Sequence, residues 1–148
     1  MTVFGLCNLL FGVKRLQGFS HSVCLVPVQL LREHESTFDR KVREVRTSLR
    51  SCGVLRRPIV VDLRTMVVLD GHHRLNAVRS LGLRRIPVLL VDYESEDVEV
   101  FPRRDEIVVS KSRVIRAAVN GRTYPPKTTR HELSFDVEPV DVSIEKLR

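Results

Sequence analysis

Short runs of apolar and β-branched residues constrain the fold of this 148-residue chain more than any other feature. These runs lie at 23–28, 58–61, 66–69 and 86–91. Each has the length of a strand, and polar residues separate it from the next run. They therefore predict the strands of a small sheet, and none of them is long enough to span a membrane.

Amphipathic segments of helical length alternate with these runs. One predicted helical face carries apolar residues spaced by 4, 3 and 4 positions, namely Phe38, Val42, Val45 and Leu49. Ser36 or Thr37 is the predicted cap of this helix, and Gly53 its end. A second helix is predicted from about residue 71 to 81, and a third around 114–119. The order of elements predicts an α/β (α+β) domain, in which helices pack on a small mixed sheet.

Composition limits the possible partners. Lys and Arg total 25 against 18 Asp and Glu, a formal charge of +7, which favours an acidic partner such as a nucleotide or a nucleic acid. No aromatic stacking platform or recognition helix is visible, so we do not expect nucleic acid. The three cysteines are widely spaced, without a CxxC pair. We therefore expect neither a disulfide framework nor a zinc ribbon, and we predict a cytoplasmic protein.

The first residues form an apolar run at 3–13, which is too short to cross a bilayer. Lys14 and Arg15 follow this run, whereas a signal peptide has its basic residues before the apolar segment. We therefore predict an N-terminal extension at 1–20 and a single domain at 21–148.

The sharpest local feature is a strand that passes into a helix through five polar or small residues, Asp70, Gly71, His72, His73 and Arg74. A helix N-terminus has unpaired N–H groups and attracts anions. Gly71 lets a phosphate approach the backbone closely, and the basic side chains add donors. This turn therefore predicts a phosphate site. Asp70 could instead cap the helix, with solvated histidines. Metal binding by the histidines is disfavoured, because adjacent residues of a helix point in different directions.

A second polar cluster follows two stiff prolines, Pro125 and Pro126. Its five consecutive donors are Lys127, Thr128, Thr129, Arg130 and His131. Such side chains suit a carboxylate or a phosphate. A surface loop of the same composition is the alternative.

Together these motifs resemble a known fold family. The run LDGHHRLNAVRSLGLRRIPVLLVDY, preceded by GVLRRPIVVD, resembles the ParB/sulfiredoxin-like fold over about residues 23–95. Sulfiredoxins carry a catalytic cysteine where this chain has His72, which disfavours sulfinic-acid reduction. The turn, PPKTTRH and the His34-Glu35 pair occur in the order found in the archaeal free L-serine kinases of this fold family.

The resemblance implies an enzyme that transfers a phosphoryl group from ATP or ADP to the hydroxyl of L-serine, giving O-phospho-L-serine. It places the catalytic base at Glu35, with Glu33 on the same polar loop as the rival. Asp70 is the candidate ligand of Mg²⁺ and a candidate catalytic residue. The donors at 127–131 would hold the amino acid. The alternative is a ParB-like module that binds a nucleotide or DNA without catalysis, and the oligomeric state stays open.

Overall fold

The computed structural model describes residues 12–148, and its central feature is a mixed sheet of five strands. The described strands are, in chain order, β1 (Lys14–Arg15), β2 (Val23–Pro27), β3 (Val54–Leu55), β4 (Ile59–Asp62), β5 (Val68–Asp70), β6 (Arg85–Val91), β7 (Val98–Pro102), β8 (Thr129–Leu133) and β9 (Val142–Ser143). The main sheet has the order β1-β2-β6-β4-β5. Strands β4 and β6 are parallel, and the remaining pairs in this sheet are antiparallel. The predicted mixed sheet is confirmed.

The described helices are α1 (Asp39–Cys52), α2 (His72–Ser80) and α3 (Lys111–Val119). They occur where the sequence predicts helices. The predicted cap of α1 is wrong, because Phe38 is the N-cap residue and makes no side-chain cap. The Ser36 hydroxyl instead hydrogen-bonds the Thr123 hydroxyl at 2.9 Å. Strands β7 and β8, which the sequence analysis did not predict, pair with each other as an antiparallel ribbon.

The sheet has an apolar cluster on each face. Along β4, Val61 belongs to the cluster that includes Leu75 and Val78 of α2, whereas Val60 belongs to the cluster that includes Val114 of α3. Neighbouring side chains of a strand point to opposite faces. Since both faces are covered, the central strands β4 and β6 are apolar rather than alternating, except for Asp62 at the end of β4 and Arg85 at the start of β6. Helix α2 is thereby held against the strands that precede and follow it.

The N-terminal region is described in part. Residues 1–11, which include most of the apolar run, lie outside the described residues. Strand β1 pairs with β2, with Lys14 opposite Leu25, so the sheet reaches into the predicted extension. Within the described part, no helix is long and apolar enough to cross a membrane. Cys24 is disulfide-bonded, contrary to what the cysteine spacing suggested, and Cys52 is an exposed free thiol.

Gly71 makes the sharp turn from β5 into α2. Its φ of 107° is one that side-chain-bearing residues rarely adopt. A Cβ atom at this position would lie 2.8 Å from Cβ of Ile59 and closer still to its Cγ2. The turn therefore needs glycine both for its backbone conformation and for the contact between the helix start and the buried strand β4.

We expect Gly71→Ala to lower the free energy of unfolding by about 2–4 kcal/mol. The backbone strain of a positive φ and the steric clash of the new Cβ with Ile59 both contribute to this loss. Gly82→Ala is the matched control. Gly82 also has a positive φ, of 70°, but an added Cβ there would meet no atom within 4 Å. Its cost should be only about 1–2 kcal/mol. Urea unfolding of both variants measures the difference, and equal losses would contradict the steric argument.

Candidate active site

A cleft of about 530 Å³ lies where α1, the β5–α2 turn and the start of β8 meet. Its lining residues are Glu35, Lys41, Glu44, Val45, Leu69, Asp70, Gly71, His72, His73, Arg74, Arg103, Lys127, Thr129, Arg130 and His131. The structure thus brings the two polar motifs of the sequence, which are more than 50 residues apart, to one cavity. Every predicted site residue except Thr128 lines it.

The two histidines at the start of α2 accept hydrogen bonds from the backbone. His72 is buried, and its Nε2 accepts the N–H of His34 at 3.4 Å. His73 Nε2 accepts the N–H of Phe38 at 3.1 Å, and the two rings of that pair are stacked. From the sequence, both histidines are predicted to donate to a phosphate. In the structure, Nε2 of each histidine binds the loop at 34–38. Only the remaining ring atoms of each histidine can contact a ligand in the cleft.

Arg74 and Asp70 form an ion pair at the turn between β5 and α2. Arg74 donates to Asp70 Oδ2 at 3.1 Å and to the carbonyl of Pro58 at 2.9 Å. Burial lowers the pKa of the Arg74 guanidinium, and Asp70 offsets part of this effect. The alternative that Asp70 caps the helix is wrong, because Gly71 is the N-cap residue and no side chain caps it. The Asp70 side chain is 64% exposed and lines the cleft.

Glu35 is a buried carboxylate that holds the segment at 127–129. Its Oε2 accepts the N–H of Lys127 at 3.1 Å. Its Oε1 accepts the N–H groups of Thr128 and Thr129 at 3.1 and 2.9 Å, and the Thr129 hydroxyl lies 3.0 Å from the same oxygen. Lys127 has a positive φ of 57°, which turns successive N–H groups toward one point. The carboxylate is therefore oriented from several directions at the floor of the cleft.

Glu33 faces away from the cleft. Its two carboxylate oxygens accept from Asn76 at 2.6 Å and from Arg79 at 3.0 Å, both on α2. The two candidate glutamates are two residues apart, yet one anchors a helix and the other lines the cavity.

The segment at 127–131 divides its side chains between the cleft and the interior. Thr128 is buried, and its hydroxyl donates to the carbonyl of Pro125 at 2.6 Å, so the expectation that Thr128 contacts a substrate does not fit its position. Lys127 is exposed at the rim. Arg130 lies 5.1 Å over the ring of Phe101 and pairs with Glu132 at 3.2 Å.

Three histidines from separate elements meet below the cleft. The ring of His34 lies 4.6 Å from that of His72 and 5.7 Å from that of His131. Burial is the main cause that lowers the pKa of each, and the pKa of His131 falls to about 3. Nδ1 of His34 donates to the carbonyl of Val68 at 2.8 Å, because a carbonyl can only accept. At neutral pH the cluster is therefore uncharged.

Sequence reasoning missed several residues that line the cleft. Lys41, Glu44 and Val45 come from α1, and Arg103 follows β7. None of the carboxylates in the acidic stretch at 92–106 lines the cleft. Helical spacing could have indicated Lys41, which lies in the first turn of α1, but nothing local indicates Arg103.

Comparison with known proteins identifies the family. The model of the ParB N-terminal domain matches residues 15–101. A ParB-like protein of Sulfolobus acidocaldarius is 42% identical over 97 residues, which cover 62% of this chain and 48% of that protein. An ATP-dependent L-serine kinase of Desulfurococcus mucosus is 39% identical over 80 residues, 51% of this chain and 31% of that protein.

A solved structure agrees with the fold. The free serine kinase in complex with AMP superposes with a TM-score of 0.80 over 93% of this chain and 97% of that one, at 16% identity. The chain belongs to the ParB N-terminal domain family. The predicted similarity to the free serine kinases is confirmed, and so is the predicted fold class. The chain spans between 31% and 48% of the length of the curated relatives it matches.

The pKa of His131 makes stability depend on pH. The unfolded chain binds a proton at this residue below its ordinary pKa of 6.5, whereas the folded chain does not until about 3. Stability is therefore lost as the pH falls below 6.5. Between pH 7 and pH 5 we expect the wild type to lose about 2 kcal/mol more than a His131→Gln variant. Urea unfolding at both pH values measures this, and equal losses would show that the folded state also protonates His131.

Proposed function

We propose that this protein is a free L-serine kinase that makes O-phospho-L-serine from a nucleoside di- or triphosphate. The observation that carries the proposal is the meeting, in one cleft, of the Glu35 carboxylate, the Asp70 carboxylate and the N-terminus of α2. A volume of about 530 Å³ is in the range of small-ligand sites. The names of the relatives, among them an ATP-dependent L-serine kinase, support this activity. The reaction belongs in the cytoplasm, where these nucleotides are available.

The donor nucleotide would bind at the start of α2. Its phosphates accept from the free N–H groups of the first helical turn, which Gly71 leaves open to close approach. Arg74 contributes positive charge from the side, already oriented by the carbonyl of Pro58. This arrangement neutralises the charge that spreads over the transferred phosphoryl group.

Asp70 fits a role as ligand of Mg²⁺. A single carboxylate is compatible with Mg²⁺, which commonly takes one or two carboxylates and completes its shell with substrate phosphates and water. Mg²⁺ bound there would neutralise phosphate charge. Asp70 has one oxygen on Arg74 and is otherwise exposed to the cleft, so it can hold the metal without breaking a buried contact.

Glu35 would act as the general base. As the bond between the serine oxygen and phosphorus forms, the hydroxyl proton passes to the carboxylate. The bond from phosphorus to the bridging oxygen of the nucleotide breaks, and its electron pair leaves with the nucleotide. Oε2 accepts one protein hydrogen bond and Oε1 three, so Oε2 retains more capacity to accept the proton.

The rim of the cleft would select the amino acid. Lys127 and Arg130 suit the carboxylate of serine or the phosphate of the product. Glu44, which lines the cleft from α1, is the carboxylate available to the serine ammonium. The alternative of a nucleic-acid module is not favoured, because these groups converge on a concave cleft rather than on a protruding element that could enter a groove.

The direct test is incubation of the protein with L-serine, Mg²⁺ and either ATP or ADP, followed by mass spectrometry. The proposal expects phosphoserine with at least one of the two donors and none without protein. Finding no product with either donor, in a sample that binds nucleotide, would leave the nucleotide-binding module as the better description.

Replacing the base tests the assignment of Glu35. We expect Glu35→Gln to lower kcat by ~10²–10⁴, because glutamine keeps the shape but cannot take the proton. Glu33→Gln is the matched control on the same loop, since it keeps an acceptor for Asn76 and Arg79, and it should cost much less. Steady-state kinetics of both variants decide. An essential Glu33 with a nearly silent Glu35 would reverse the assignment.

Substitutions at the neighbouring residues 127 and 128 distinguish a side chain at the rim of the cleft from one that is buried in the protein. Lys127→Ala should raise KM for serine by ~10-fold, the scale of one charged hydrogen bond, and leave nucleotide affinity nearly unchanged. Thr128→Val should lower stability by about 0.5–1.5 kcal/mol, because it removes the hydrogen bond from the Thr128 hydroxyl to the Pro125 carbonyl, with little change in KM. Kinetics and urea unfolding measure the two effects. A larger KM effect at Thr128 would show that the cleft is arranged differently.

A further inference from the structure

The cleft has more positive charge than its carboxylates neutralise. Among the residues that the structure describes, five lysine and arginine side chains line it against three carboxylates. Two of these carboxylates are already in ion pairs, Asp70 within its own turn and Glu44 with Arg40 of α1 at 3.1 Å. No carboxylate among residues 12–148 forms an ion pair with Lys41 or Lys127. A concave site with unpaired cations attracts anions.

Lys41 belongs to the first turn of α1, and a hydrogen bond joins this end of α1 to the start of α2. The N–H of Phe38, the N-cap residue of α1, donates to Nε2 of His73 in the first turn of α2 at 3.1 Å. Burial is the main cause that lowers the pKa of His73, and the charge of Lys41 comes next, ahead of that of Lys127. Lys41 therefore lies at the start of α2, where the nucleotide would bind.

Lys127 connects Lys41 to the proposed base. The backbone N–H of Lys127 donates to Glu35 Oε2 at 3.1 Å. A hydrogen-bonding contact with Lys41 and the charge of Lys41 are the main causes that lower the pKa of Lys127, so the two ammonium groups are neighbours. Like charges side by side repel each other, and a ligand that brings an anionic group to each of them relieves this repulsion.

We propose that Lys41 binds the phosphoryl group while it passes from the nucleotide to serine, and then holds the phosphate of the product. The inference rests on the proposed function and adds a catalytic residue to it. The bond between the serine oxygen and phosphorus forms, and the serine proton passes to Glu35. The bond from phosphorus to the bridging oxygen of the nucleotide breaks, and its electron pair leaves with the nucleotide. The Lys41 ammonium keeps its protons and donates to a non-bridging oxygen of the phosphoryl group.

The charges of substrate and product differ in the way that two neighbouring lysines can recognise. Serine at neutral pH has a carboxylate and an ammonium, whereas phosphoserine also carries a charge of about −1.5 to −2 on its phosphate. The carboxylate suits Lys127, beside the base, and the phosphate suits Lys41, beside the start of α2. Serine offers only the first of these groups. Loss of the charge at Lys41 should therefore weaken the binding of the product much more than that of the substrate.

Titration calorimetry with O-phospho-L-serine and with L-serine tests the inference without any turnover. Lys41→Gln should weaken the binding of phosphoserine by about 10- to 100-fold, the scale of one hydrogen bond to a charged group, and should change the binding of serine little. Arg43→Gln is the matched control, because it removes the same charge from α1 at a residue outside the cleft, and both affinities should persist. Equal losses in the two variants would overturn the inference, since net charge alone would then explain them.

Steady-state kinetics test the role of Lys41 in the transfer itself. Lys41→Gln should lower kcat by about 10- to 100-fold with KM for serine nearly unchanged, and Lys41→Arg, which keeps the charge, should retain more of the activity. A wild type that forms phosphoserine, with a Lys41→Gln variant of unchanged kcat or with a loss confined to KM for serine, would overturn this inference alone. A wild type that binds neither amino acid and forms no phosphoserine would refute the proposed function itself.

Discussion

The arrangement of the cleft depends on the carboxylate of Glu35. It receives backbone N–H groups from residues 92–94 positions further along the chain. A carboxylate that accepts several N–H groups satisfies donors that would otherwise be buried and unpaired. This contact attaches the C-terminal part of the chain to the loop after β2. Together with the contact between Thr129 and His34, it sets the position of the donors at 127–131 relative to the turn at 70–74.

The start of α2 is tied to the same loop from the other side. His72 and His73 accept backbone N–H groups of residues 34 and 38, while Glu33 binds Asn76 and Arg79. The loop at 33–38 therefore contacts both polar motifs. The contacts are divided along the loop, because residues 33, 34 and 38 bind α2 whereas Glu35 binds residues 127–129. Such preorganised polar groups, held by packing rather than by solvent, suit the positioning that the proposed phosphoryl transfer would require.

Much of the fold was predictable because its signals are local. The strands at 23–27 and 85–91, and helix α2 after Gly71, follow from apolar runs and a turn that a few consecutive residues encode. The ribbon of β7 and β8 was missed, because its residues are polar or mixed and its pairing joins segments about 30 residues apart. The prediction that Ser36 caps α1 is wrong because its hydroxyl forms a hydrogen bond with the Thr123 hydroxyl instead.

The sequence by itself determined which residue types are available for an anion site, and that Asp70 to Arg74 form a strand-to-helix turn. Only the tertiary structure decided how they are used. It turned His72 and His73 into acceptors, directed the Thr128 hydroxyl inward, and separated Glu33 from Glu35. The physical reason is that a side chain's role depends on the donor or acceptor it meets. For the two histidines and the two glutamates, those partners lie some 35 to 95 residues away along the chain.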